Sequence, residues 1–290
     1  LLNSSRMECR TGSCAGTRIS GMLEALQFEF MRNALWAGLL ASVACGIIGT
    51  LVVVNRIVFI SGGIAHAAYG GVGIAFFLGI SPTFSAAVFS LVMAAVMATV
   101  TLRNKQRADT IIGVLWALGM AVGIILIDLT SGYRVDVMSY LFGSILAVPS
   151  DDLIMMVVLD VVIVAVVAFF YNGFLALSFD EEFAQTMGVP VKTLYFILLG
   201  LMALSVVMVI RVVGLILVIA LLTIPPYIAE KFSVSLAWMM VFSTILSCIF
   251  SFTGLWLSYA FNLTSGATVI LVASLFFFVS LLWGRARVST

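Results

Sequence analysis

No charged residue occurs between Lys231 and Arg285. A water-soluble domain keeps about a quarter of its residues charged so that its surface stays wet. A stretch this long without charge belongs in lipid, and it exceeds the roughly 20 apolar residues that one spanning helix needs. It therefore reads as two passes, with Phe252-Thr253-Gly254 and Asn262 to Gly266 as the natural breaks. The whole chain agrees: 63% of residues are hydrophobic, 9% are charged and the mean hydropathy is +1.25. The chain is an integral membrane protein. With a net charge of +1 and no basic stripe, it has no feature that calls for nucleic acid.

Windows with few charges predict an all-α, polytopic fold of about nine transmembrane helices. They cover roughly 31–54, 58–79, 83–102, 110–128, 152–175, 193–210, 212–229, 233–252 and 267–284. The piece Val137 to Val148 is too short to span and reads as an interfacial or re-entrant helix ending at Pro149. Residues 1–27 form a polar head without a secretory apolar core, and Met7 or Met22 could be the biological start. Residues 28–287 read as one transmembrane domain.

Short-loop charges give the orientation. Nine alternating spans place Arg56, Arg103, Lys105, Arg107, Lys192, Lys231, Arg285 and Arg287 on one face. Arg32, Arg134, Arg211, Asp128, Asp136, Asp151 and Asp152 fall on the other. The expected topology is N-terminus out and C-terminus in.

Four cysteines are present. Cys45 and Cys248 lie in apolar stretches and read as core residues. Cys9 and Cys14, spaced C-x4-C without a nearby His or second pair, do not suggest a metal site.

Candidate functional residues are few. His66 is the only histidine, and it sits in an uncharged run from Ile57 to Ile80. An imidazole inside a bilayer must face protein, water or a ligand. Two readings are open: a histidine bonded between helices, or a group on a permeation path that binds a proton or a borderline cation. Gly62, Gly63, Gly70 and Gly71 surround it, which allows close helix approach or leaves room beside the ring. Asp160 is the one acid inside Leu153 to Phe179.

Two further segments stand out. From Ser178 to Pro190, Asp180, Glu181 and Glu182 favour the positive end of a short helix. Phe183 and Met187 would form its apolar edge, and Gly188 and Pro190 would stop it. It is either a solvated connector or a docking helix for a cytoplasmic partner. The pair Pro225-Pro226 removes backbone donors near the end of a span, which predicts a helix break there, lining a cavity or ending at the interface.

These pieces, in order over about residues 31–284, resemble the permease subunits of ATP-binding-cassette importers for zinc, manganese and iron. The resemblance rests on Arg56, on Ser61 through Gly71 around His66, on Phe179 to Ala184 with Gly188, and on Val213-Gly214 through Pro225 and Pro226. Two departures are visible: Gly62 stands where the family commonly has Asp, and Pro226 where it more often has Ala. The resemblance implies a prokaryotic inner-membrane, multi-pass permease, working as a homodimer with a cytoplasmic ATP-binding subunit and an extracytoplasmic metal-binding protein. It makes His66, with Asp160 as substitute acid, the candidate contacts for a divalent metal ion in transit. It makes Asp180, Glu181, Glu182, Phe183, Ala184 and Gly188 the ATPase-coupling segment. No permanent cofactor is expected.

The chain has no G-x-x-x-x-G-K-[ST] motif, so ATP hydrolysis must come from another polypeptide. No nucleophile-and-base or metal cluster of an intramembrane hydrolase is visible. A secondary transporter driven by a proton or sodium gradient would need embedded ionisable groups, and only His66 and Asp160 qualify.

Overall fold

The computed structural model describes residues 29–103, 107–130 and 148–288, and every regular element among them is helical. In chain order the helices are α1 (Glu29–Val54), α2 (Val58–Leu78), α3 (Pro82–Arg103), α4 (Ala108–Asp128) and α5 (Ser150–Phe169). Two short helices follow, α6 (Tyr171–Phe179) and α7 (Glu181–Thr186). The rest are α8 (Val191–Val213), α9 (Leu215–Glu230), α10 (Leu236–Phe261) and α11 (Ser265–Val288). Eight of these are long and apolar enough to cross a membrane. The polar head, residues 104–106, residues 131–147 (the short helix expected from Val137 to Val148, all but its last residue) and residues 289–290 lie outside the described residues.

The ninth expected span is α9, a shorter helix of 16 residues. At 1.5 Å per residue it is about 24 Å long, less than the roughly 30 Å of a hydrocarbon core. Hydrogen bonds nevertheless tie its flanks to opposite ends of the bundle. At one end, Arg211 just before α9 pairs with Asp152 at 3.0 Å and donates to the Thr83 hydroxyl, and the Asn33 amide donates to the Val148 carbonyl. At the other end, the Asn55 amide donates to Ser178 Oγ at 3.1 Å. Helix α10 runs antiparallel to α1, with Ser251 against Ser42 and Thr244 against Gly46. Its start, beside Lys231, therefore lies at the Asn55 end, where Lys231 Nζ donates to the Ser280 carbonyl. Helix α9 thus runs from one end of the bundle to the other despite its length.

Several expected boundaries move, each for a local reason. The span placed at 152–175 divides at Phe170 into α5 and α6. The span expected from 212 starts at Leu215, because Gly214 with φ 86° separates α8 from α9. Thr253 and Gly254 do not break α10. Thr253 Oγ1 donates to the Ile249 carbonyl, and Gly254 lies flat against Val269, where a side chain would collide. The turn comes at Asn262, whose left-handed φ of 52° caps the helix. Pro225 and Pro226 lie inside α9, which continues to Glu230, so the predicted break does not occur. The carbonyl of Leu222, which Pro226 leaves without its helical donor, points at Gly49 of α1. A methyl group added at Gly49 would sit 2.6 Å from that oxygen and 2.9 Å from Pro226 Cγ.

The core is the set of helices around α1 and α2. Ile48, Leu51, Ile64, Leu198, Met202, Val218 and Phe250 are buried there. Helices α4, α5, α10 and α11 instead expose apolar faces, including Val114, Val158, Ile245 and Leu275. That is the pattern of an outer layer meeting lipid or another subunit.

Candidate functional site around His66

The site is built on α2, the most enclosed of the eight candidate spans among the described residues. Four glycines let its neighbours reach the backbone. A methyl group at Gly63 would lie 2.7 Å from Ile112 Cγ2 of α4, and one at Gly71 would lie 2.6 Å from Ala86 Cα of α3. At Gly70 it would meet Phe89 at 2.8 Å and the Gly119 carbonyl at 2.9 Å, and at Gly73 it would overlap the Gly123 backbone. These glycines are helix contacts. They do not leave the room beside the imidazole that the sequence suggested. Gly62 alone is open: a methyl group there would meet only Ile219 Cδ1, at 3.9 Å.

His66 sits one helical turn beyond Gly62, about 12 Å along α2 from its start at 1.5 Å per residue. The side chain is half-buried. Its ring lies on the indole of Trp116 in α4, with centroids 4.1 Å apart and planes 17° apart. Its buried Nδ1 has no hydrogen-bond partner among the described residues. Phe59, two turns before His66 on the same face of α2, completes an aromatic group at 6.1 Å from the Trp116 ring. Trp116 carries no sequence motif. The available signal was its position: an indole eight residues into a span, away from the interfaces where tryptophan gathers.

Asp160 is elsewhere. It is 8% exposed on α5, and its Oδ2 has no hydrogen-bond partner among the described residues. Helix α5 packs on α1, where Cys45 lies within electrostatic reach of Asp160. The structure does not bring Asp160 to His66. Among the described residues no group of three or more His, Cys, Asp or Glu could hold a metal ion. Any ion touching His66 would therefore find few His, Cys, Asp or Glu ligands among the described residues. Pro225 and Pro226 are buried against α1 and belong to helix packing.

The acidic segment forms α7 at the Asn55 end of the bundle. Asp180 is its N-cap, with Oδ1 accepting from the backbone N–H groups of Glu182 and Phe183, both at 3.0 Å. Glu181 and Glu182 occupy the first turn, and Ala184 is buried beneath. Gly188 reverses the chain with φ 79°. Phe179, Phe183 and Met187 are 83%, 62% and 69% exposed. An apolar edge beside three acids thus faces outward.

Comparison with known proteins agrees with this architecture. The model of the ABC 3 transport family matches residues 27–284. An uncharacterised membrane protein of Synechocystis is 54% identical, over 93% of this chain and 96% of its own length. A probable metal transport system membrane protein of Chlamydia trachomatis is 38% identical, over 87% and 88%. The manganese transport system membrane protein MntC of Listeria monocytogenes is 33% identical, over 89% and 92%. Among solved structures, PsaBC from Streptococcus pneumoniae superposes with a TM-score of 0.82 at 32% identity, covering 90% of this chain and 95% of that one. The chain belongs to the ABC 3 transport family, as a multi-pass, membrane-spanning permease subunit.

Proposed function

We propose that this permease carries a divalent transition metal ion into the cytoplasm, with His66 touching the ion on its way. The observation that carries the reading is His66 itself: a lone imidazole deep in a span, half-buried, with a buried nitrogen that no group among the described residues satisfies. A neutral imidazole is a competent ligand for zinc, manganese or iron. The names of the relatives in Listeria, Halalkalibacterium and Chlamydia point to metal, and those in Listeria and Halalkalibacterium to manganese. Manganese(II) is therefore the first substrate to test. The absence of an acid at position 62 fits a weak, transient contact, as a pathway that must release its cargo requires.

On this reading the Asn55 end of the bundle is cytoplasmic, because the basic loops gather there. The ATP-binding subunit docks on α7 through Phe183, Met187 and the acids around them. The metal-binding protein delivers the ion at the Arg211 end, and two copies of the chain form the working unit. Asp160 is a second, separate polar station rather than a co-ligand of His66. The permease itself hydrolyses nothing and holds no resident cofactor; the metal is substrate.

The decisive measurement is uptake of radiolabelled manganese(II) into proteoliposomes holding the permease, its ATPase and its binding protein. His66→Ala should cut ATP-dependent uptake about tenfold, the lower end of what loss of a polar contact in a metal site costs, at unchanged protein level. Full uptake by His66→Ala would reduce the residue to a packing histidine.

A further inference from the structure

We propose that Trp116 is a positioning residue for His66, and that Phe59 extends the same aromatic contact on the side toward Arg56. The proposal rests on the reading that His66 touches the transported ion. Metal-ligating histidines ordinarily have their second nitrogen hydrogen-bonded to a carboxylate or carbonyl, which fixes the ring plane. No such bond reaches Nδ1 here among the described residues. The nearest position for an acid on α2, one turn away, is Gly62. What lies against the ring is the Trp116 indole, nearly parallel at 4.1 Å. Stacking sets the plane that a hydrogen bond would otherwise set, and so fixes the in-plane direction from which an ion reaches Nε2.

The choice of an indole has a second effect. An imidazole that binds a cation becomes positively polarised, and an aromatic face below it is attracted to that charge. Trp116 thus favours the loaded ring over the empty one without adding a negative charge to the membrane interior. Its depth in α4 supports a local role, since tryptophans that anchor helices sit at the membrane interfaces. Phe59, 43% exposed and tilted 49° to the Trp116 ring, extends the aromatic surface past Gly62 toward the start of α2, next to Arg56.

The test uses the complete transporter and four variants: Trp116→Phe, Trp116→Ala, His66→Ala and the double variant with both alanines. Trp116→Ala should raise the KM for manganese(II) about tenfold, the lower end of the loss when a supporting partner of a metal ligand is removed. Trp116→Phe, which keeps a stacking ring, should largely restore it. The double variant should be no worse than His66→Ala alone, because the indole acts only through the imidazole. Additive losses, or an unchanged KM in Trp116→Ala, would overturn the proposal. A second readout does not depend on transport: in a permease whose other tryptophans are replaced by Phe, manganese(II) should quench Trp116 fluorescence, and His66→Ala should abolish the quenching. Quenching that persists without His66, or none in its presence, would also overturn it. If His66→Ala transports normally, the reading of His66 as the ion contact fails instead, whatever Trp116 does.

Discussion

Whether position 62 carries a side chain decides how the imidazole of His66 is supported. With glycine there, nothing is nearer to the place of a Cβ than Ile219 Cδ1 at 3.9 Å, so an acid could be built in without a backbone clash. Gly62→Asp would put a carboxylate one turn from His66, a spacing at which side chains meet. We expect tighter manganese(II) binding by calorimetry and slower turnover, because a stronger site releases more slowly; unchanged affinity would contradict this. Gly73 offers the contrast. A methyl group there overlaps the Gly123 backbone, so Gly73→Ala should destabilise the fold by about 1–3 kcal/mol through overpacking. The expected readout is a lower melting temperature in detergent, and a wild-type value would show that α2 and α4 can separate freely. The sequence marked these glycines but not their division of labour. Spacing on a helix cannot tell which of several small residues meets a neighbour until the neighbours are placed.

At the scale of elements, α7 is a six-residue helix that could not persist alone, since isolated helices this short are marginal. It is held by the Asp180 cap and by burial of Ala184. Asp180→Ala should cost about 1 kcal/mol of local stability and raise hydrogen exchange across residues 181–187 without lowering membrane abundance. Exchange unchanged by the substitution would mean that burial alone holds the helix. Phe183→Asp leaves the cap intact and changes only the outward edge. Co-purification of the ATPase should then be lost while the permease remains folded, and undiminished co-purification would rule out docking through α7. The acids, the apolar edge and the terminating Gly188 were all legible in the chain. The extent of the helix and the outward turn of Phe183 were not, because they depend on which residue the bundle buries beneath.

For the whole molecule, the apolar faces of α4 and α11 remain exposed in one copy of the chain, with Leu118, Ile125, Leu271 and Phe278 at 56%, 56%, 60% and 62%. In lipid nanodiscs the permease should have the mass of a homodimer, in keeping with the commonest closed symmetry of oligomers. A monomeric mass with transport retained would exclude that assembly. Single cysteines at Thr83 and Ser178, which lie at opposite ends of the bundle, should label from outside and inside respectively; the reverse pattern would invert the orientation.

Much of this architecture was determined by the sequence alone. Uncharged length demands membrane spans, and the loop charges alternate as nine passes would require, an expectation that the cysteine labelling tests. A lone embedded histidine and a capped acidic segment are local signals that no partner can erase. Tertiary structure decided the rest, for physical reasons that lie outside any one segment. Asp160 and His66 read as possible co-ligands, yet their helices, α5 and α2, make no substantial contact with each other. Pro225 and Pro226 read as a break, yet α9 continues through them to Glu230, packed so closely on Gly49 of α1 that a side chain there would collide. Trp116 carries no motif, and only the crossing of α2 and α4 lays its ring on the imidazole. Each of these is a contact between segments far apart in the chain, and such contacts are set by which surfaces the bundle buries together rather than by the periodicity of either segment.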